Sequence, residues 1–216
     1  MLAEWNAACG ADDPVLVVPW ASPNGALHWV DLRDNPDALD AISEADEYPA
    51  LLAALRTMNG NRSPVFTAKC DVWPMDADEL EATRYDLMLD DDVATAGIAC
   101  YVDALWRERS VFTSRHRVEQ MLYRIDRLAT DLPFSMATLE CTLRPAVAEL
   151  DGAIAEGFAI TLYVKAVGVD EEEAQQRWTL PCAPSPYSFD RRNSRARKPA
   201  GTRSCEPPPL ADVCAP

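Results

Sequence analysis

Three runs in the second half of this chain alternate apolar and polar residues, and that alternation constrains the fold more than any other feature. Gly97 to Arg107 carries Ile98, Cys100, Val102, Ala104 and Trp106 at alternate positions. Met136 to Arg144 does so with Ala137, Leu139, Cys141 and Leu143, and Gly157 to Val167 with Phe158, Ile160, Leu162, Val164 and Ala166. Successive side chains of a strand point to opposite faces, so each run reads as a strand with one buried face. Between the first two runs, Val118, Met121, Leu122, Ile125, Leu128 and Leu132 recur at helical spacing behind a Thr113 or Ser114 cap, and Pro133 closes that helix. Single-faced strands predict an antiparallel or mixed sheet covered by helices mainly on one side.

The first half supplies weaker signals of the same kind. Ser63 to Trp73 alternates, with Phe66, Ala68, Cys70 and Val72 pointing one way and Thr67, Lys69, Asp71 and Trp73 the other. Pro14–Trp20 and Ala26–Leu32 flank the turn Ser22-Pro23-Asn24-Gly25 and predict a β-hairpin, with Pro19 at an edge or strand end because it has no N–H to donate. Pro36 after Asp34 or Asn35 starts a helix carrying Leu39, Ile42 and Ala45. A second helix runs from Tyr48 to Met58 with Leu51, Leu52 and Leu55 on one face, and Asn59-Gly60-Asn61 ends it. An acidic helix spans Ala77 to Leu89, and a short one Glu171 to Trp178. These elements make one α+β domain over residues 1–181, with a sheet of about five strands and a ferredoxin-like sandwich as the nearest common architecture. Residues 182–216 lose all periodicity and are rich in Pro, Ser and Arg, which predicts a disordered tail.

Charge bounds the function. The net charge is −15, and residues 182–216 hold six basic against three acidic side chains, so the tail is +3 and the body −18. A body so acidic repels phosphate backbones and anionic membranes, which argues against nucleic acid or membrane as partners of the domain and favours a basic protein or a divalent cation. No stretch reaches the roughly 20 apolar residues of a membrane span, and the first residues show no secretory pattern. Seven widely spaced cysteines without a Cys-x-x-Cys pair argue against structural zinc. Together these features predict a cytoplasmic protein.

Candidate sites come from the faces that the alternation leaves outward. One face collects Lys69, Asp71, Trp73, Tyr101, Asp103, Glu140, Arg144, Tyr163 and Lys165, opposite charges interleaved with aromatics. Such a face binds a small polar ligand or a peptide, or consists of ordinary cross-strand pairs. Asp86, Asp90, Asp91 and Asp92 offer oxygen ligands to a divalent metal, without the spacing of an EF-hand loop. His28 and His116 lack a nucleophile at motif spacing, and pairing either with Cys70 or Cys100 has no local support. No glycine-rich nucleotide loop and no His-Glu-x-x-His motif occurs. The reading that follows is a non-catalytic binding protein, without cofactor, for a basic protein partner, as inhibitor or immunity proteins are. The alternative is a hydrolase using a divalent metal at the acidic cluster.

Overall fold

The computed structural model describes residues 1–33 and 35–182. The three alternating runs become β4 (Ala96–Trp106), β5 (Ala137–Leu150) and β6 (Ala153–Gly168), and the Ser63–Trp73 run becomes β3 (Val65–Pro74). With β1 (Leu2–Ala7) they form a sheet in the order β1-β5-β6-β4-β3, and β2 (Leu16–Val18) makes the sixth strand. β1 and β2 follow each other along the outer edge of β5 and pair with it in parallel, whereas β5, β6, β4 and β3 are antiparallel neighbours. The chain is therefore α+β with a mostly antiparallel sheet, as the single-faced alternation predicts. Half of a ferredoxin-like arrangement is present: β4 and β5 run parallel with β6 between them. The connection from β3 to β4, by contrast, joins adjacent antiparallel strands.

Helices cover one face. α5 (Arg115–Thr130) lies against β1 and β5, α6 (Glu171–Cys182) against β6 and β4, and α2 (Pro49–Asn59) against β3. Ser114 caps α5, and the stripe read from the sequence delivers Val118, Leu122 and Ile125 to the core. Trp178 of α6 is wholly buried and meets Tyr48 edge-on at 5.8 Å. A 3-10 turn (Pro36–Ala41) and α1 (Ser43–Glu47) pack beside α2, while α4 (Arg109–Phe112) follows β4 and lays Phe112 against Gly157 of β6. The remaining helix, α3 (Ala77–Asp86), opens with a reciprocal capping box between Asp76 and Glu79, and ends three residues before the predicted Leu89.

Three differences from the sequence reading have local causes. The predicted hairpin is not a pair of sheet strands: β2 is spent on the edge of β5, and the rest reduces to one bridge between Ala21 and His28 around the Ser22–Gly25 turn. β5 and β6 run on past Arg144 and before Gly157 to meet at an Asp151-Gly152 turn, both residues with positive φ, the conformation a two-residue hairpin needs. Thr67 does not share a face with Lys69. A bulge at Ala68 inserts one unpaired residue, so Thr67 opposes Ala104 on the helix-covered face while Phe66 turns to the other. There buried Asn59 holds the bulge to the end of α2: its Oδ1 accepts the Thr67 N–H at 3.0 Å and its Nδ2 donates to Thr67 Oγ1 at 2.8 Å. Finally, the predicted disordered tail lies outside the described residues beyond its first position.

Candidate functional site

The face turned away from α2, α5 and α6 has two different halves. Toward one end it is apolar and covered: Phe66, Leu105 and Ala159 lie side by side by register, all fully buried. The segment 19–33 crosses above them. Trp20 Nε1 donates to the Ala68 carbonyl at 2.8 Å, Trp29 Nε1 to that of Thr67 at 3.5 Å, and Arg33 stacks on Trp29 and Phe66 at 5.0 and 4.9 Å. At the opposite end α3 sits on the sheet, where Met75 and Leu80 occupy the space a side chain at Gly97 would need. Between these two walls lies an open trough.

All nine sheet-face residues named from the sequence stand on the floor of that trough or at its rim. Register aligns them in rows across the strands. Trp73 opposes Ala99, which opposes Lys165; Asp71 opposes Tyr101, then Tyr163, then Glu140; Lys69 opposes Asp103, then Thr161. Arg144 opposes Ala159 at the border of the covered half. The aromatics form a continuous run, with Trp73 to Tyr101 at 6.2 Å and Tyr101 to Tyr163 at 6.0 Å between ring centroids. Trp73 is not left in water: its Nε1 donates to Glu79 of α3 at 3.0 Å. Glu140 accepts from Asn6 of β1 at 2.7 Å.

Asp103 is the unusual group. It is 3% exposed, and Thr161 Oγ1 donates to its Oδ1. Burial pushes its carboxyl above the ordinary aspartate range, against the opposing pull of the Thr161 hydrogen bond and of Arg144 and Lys69. Tyr101 beside it is pushed up to about 12, by burial first and then by the Asp103 and Asp71 charges. A cavity of about 180 Å³ opens over Asp103, walled by Pro14–Leu16, Lys69, Arg144, Thr161 and the two tyrosines. Thr161 was within reach of sequence reading, since it alternates between Ile160 and Leu162. The Pro14–Leu16 lip was not: Pro14–Trp20 reads as one strand of a hairpin, and nothing in it signals that β2 pairs with the edge of β5 instead.

The acidic cluster is arranged differently. Asp86, Asp90, Asp91 and Asp92 are all exposed, on and just after α3, and Arg84 reaches Asp91 at 3.5 Å. Among the described residues no group of three or more His, Cys, Asp or Glu side chains converges as a metal site would require. His116 is exposed and meets Gln120 at 3.0 Å. Burial raises the Cys70 thiol to about 12, the opposite of what a nucleophile needs. No family model, no curated protein and no solved structure matches this chain.

Proposed function

We propose that this is a non-catalytic binding protein whose partner is a basic protein, met in the cytoplasm and docked on the acidic ridge formed by α3 and the turn after it. One observation carries the reading: two large apolar side chains stand almost bare among carboxylates. Tyr85 is 84% and Met88 92% exposed; Asp78, Glu81 and Asp86 lie beside Tyr85, and Asp90 to Asp92 follow Met88 along the chain. Residues 76–92 hold eight acidic side chains and one basic one, a net of −7 out of the −15 of the chain. α3 buries only Thr83 and so has no apolar stripe to account for its position by packing alone. Aromatic and methionine anchors within a charged rim are what a protein interface uses, and the rim accelerates and selects an oppositely charged partner. Cys9, Cys70 and Cys141 are free thiols, which suits a reducing compartment. Inhibition or neutralisation of a basic effector is the role such a ridge serves best.

The test is native mass spectrometry of the full chain isolated from its host at low salt, beside the Tyr85→Ala/Asp86→Lys/Asp90→Lys variant. The expected result is one basic protein at fixed stoichiometry, lost from the variant and released by about 0.5 M salt, where screening acts within a few ångströms. A partner that is acidic, or that stays bound to the variant, overturns the reading, as does a chain that carries no protein at all.

A further inference from the structure

The cavity over Asp103 has a feature the docking ridge does not explain. Three charged side chains converge on it, and none pairs with another: no nitrogen of Arg144 or Lys69 comes within 4.0 Å of an Asp103 oxygen. Among the described residues each is also short of partners. Arg144 has one long contact, Nη2 to the Tyr163 hydroxyl at 3.4 Å, and its buried Nε has no hydrogen-bond partner. Lys69 holds its ammonium over the Trp20 ring at 4.8 Å and makes no hydrogen bond. Asp103 spends one oxygen on Thr161 and keeps the other free. A buried donor without a partner is costly, the more so when charged, so a fold that keeps such groups around a space of this size is arranged for something that fits between them.

We propose that this cavity binds a small carboxylate bearing a hydrogen-bond donor on the adjacent carbon, a 2-hydroxy or 2-amino acid. The carboxylate takes the guanidinium of Arg144 and the ammonium of Lys69, which restores charged hydrogen bonds to both. The neighbouring hydroxyl or ammonium donates to the free oxygen of Asp103, which Thr161 holds in place. Tyr101 and Tyr163 close one side, and Pro14–Leu16 the other. With two cations and one carboxyl, the lining is net positive in a molecule that is otherwise strongly acidic, so anion capture here runs against the overall charge and needs this local arrangement.

Propionate, lactate and alanine differ only in the group beside the carboxylate and make a matched set of probes. Each is titrated into the ¹⁵N-labelled full chain at constant ionic strength, and the Arg144 Nε–H resonance, assigned with Arg144→Lys, is followed together with the backbone amides of Lys69, Asp103 and Thr161, which report on every variant. Saturable shifts are expected for lactate, alanine or both, with propionate at least tenfold weaker. Arg144→Gln should abolish binding, and Asp103→Asn should remove the preference over propionate while the spectrum stays folded. Whether lactate or alanine binds tighter tells a hydroxy acid from an amino acid. No saturable shift with any probe up to about 50 mM, beyond the range of even weak specific sites, overturns the proposal. So does propionate binding as tightly as the other two, or unchanged affinity in Arg144→Gln. None of these results depends on the acidic ridge, so this site and the docking reading fail separately.

Discussion

At Asp103 the cost of burying a charge and the benefit of having cations nearby meet in one side chain. Desolvation prevails over Thr161, Arg144 and Lys69, and the carboxyl pKa is raised. A group with a higher pKa folded than unfolded binds more protons in the folded state, so stability falls as pH rises from the unfolded value of 3.8 through the folded one, and is flat above it. Asp103→Asn removes that loss and keeps an oxygen for Thr161 to donate to. Urea denaturation should therefore show the variant at least as stable as the parent at neutral pH, with its relative advantage shrinking as pH falls through the raised carboxyl range and gone below the unfolded value of 3.8. A variant that loses ground at neutral pH instead would mean that Arg144 and Lys69 hold Asp103 ionised in the fold.

Among the elements, β3 shows most clearly what a sequence pattern can and cannot carry. Its alternation from Lys69 to Trp73 was legible, and with it the floor of the trough. The face of Thr67 was not, because a bulge adds one residue without changing composition, and the partner that fixes it, Asn59, lies at the end of a different element. Deleting Ala68 tests that account. Either Thr67 turns away from Asn59 and Phe66 leaves its cover, or Asp71 and Trp73 turn into the helix layer. Each lost buried hydrogen bond costs about 1–3 kcal/mol, so the deletion should remove at least about 3 kcal/mol in urea denaturation, whereas Ala68→Gly should keep the fold. Native stability in the deletion variant would show that the bulge is incidental. The same reasoning separates the other elements. α5 and the three central strands were legible because each buries one periodic face. The Asp151-Gly152 turn carried a hairpin signal that the shorter strand limits passed over. β1 was not legible: Leu2–Ala7 is a partly exposed edge strand, and its partner lies more than a hundred residues away.

The whole molecule carries its charge unevenly, and the candidate sites divide along that line. The sheet floor mixes both signs and was legible from alternation alone; the cavity over it was not, since its lip and the Trp20 cover come from a segment whose sequence resembles an ordinary hairpin. The ridge of residues 76–92 is the converse, conspicuous in composition yet, among the described residues, without ion-pair partners for most of its carboxylates, since Arg84 reaches only Asp91. Carboxylates crowded on one exposed ridge repel each other, and salt screens that repulsion over a Debye length of about 10 Å at 0.1 M. Melting temperature should accordingly rise by a few degrees between about 0.01 and 0.3 M sodium chloride, on the scale of 1 kcal/mol for a domain of this size. Neutralising Asp86, Asp90 and Asp92 to Asn should raise the low-salt melting temperature and flatten that dependence. If melting falls with salt, or the triple variant responds as the parent does, the repulsion lies elsewhere on the surface. A ridge kept under such self-repulsion gains stability from a basic partner before any specific contact is counted. That links the distribution of charge in the chain to the docking role proposed for α3.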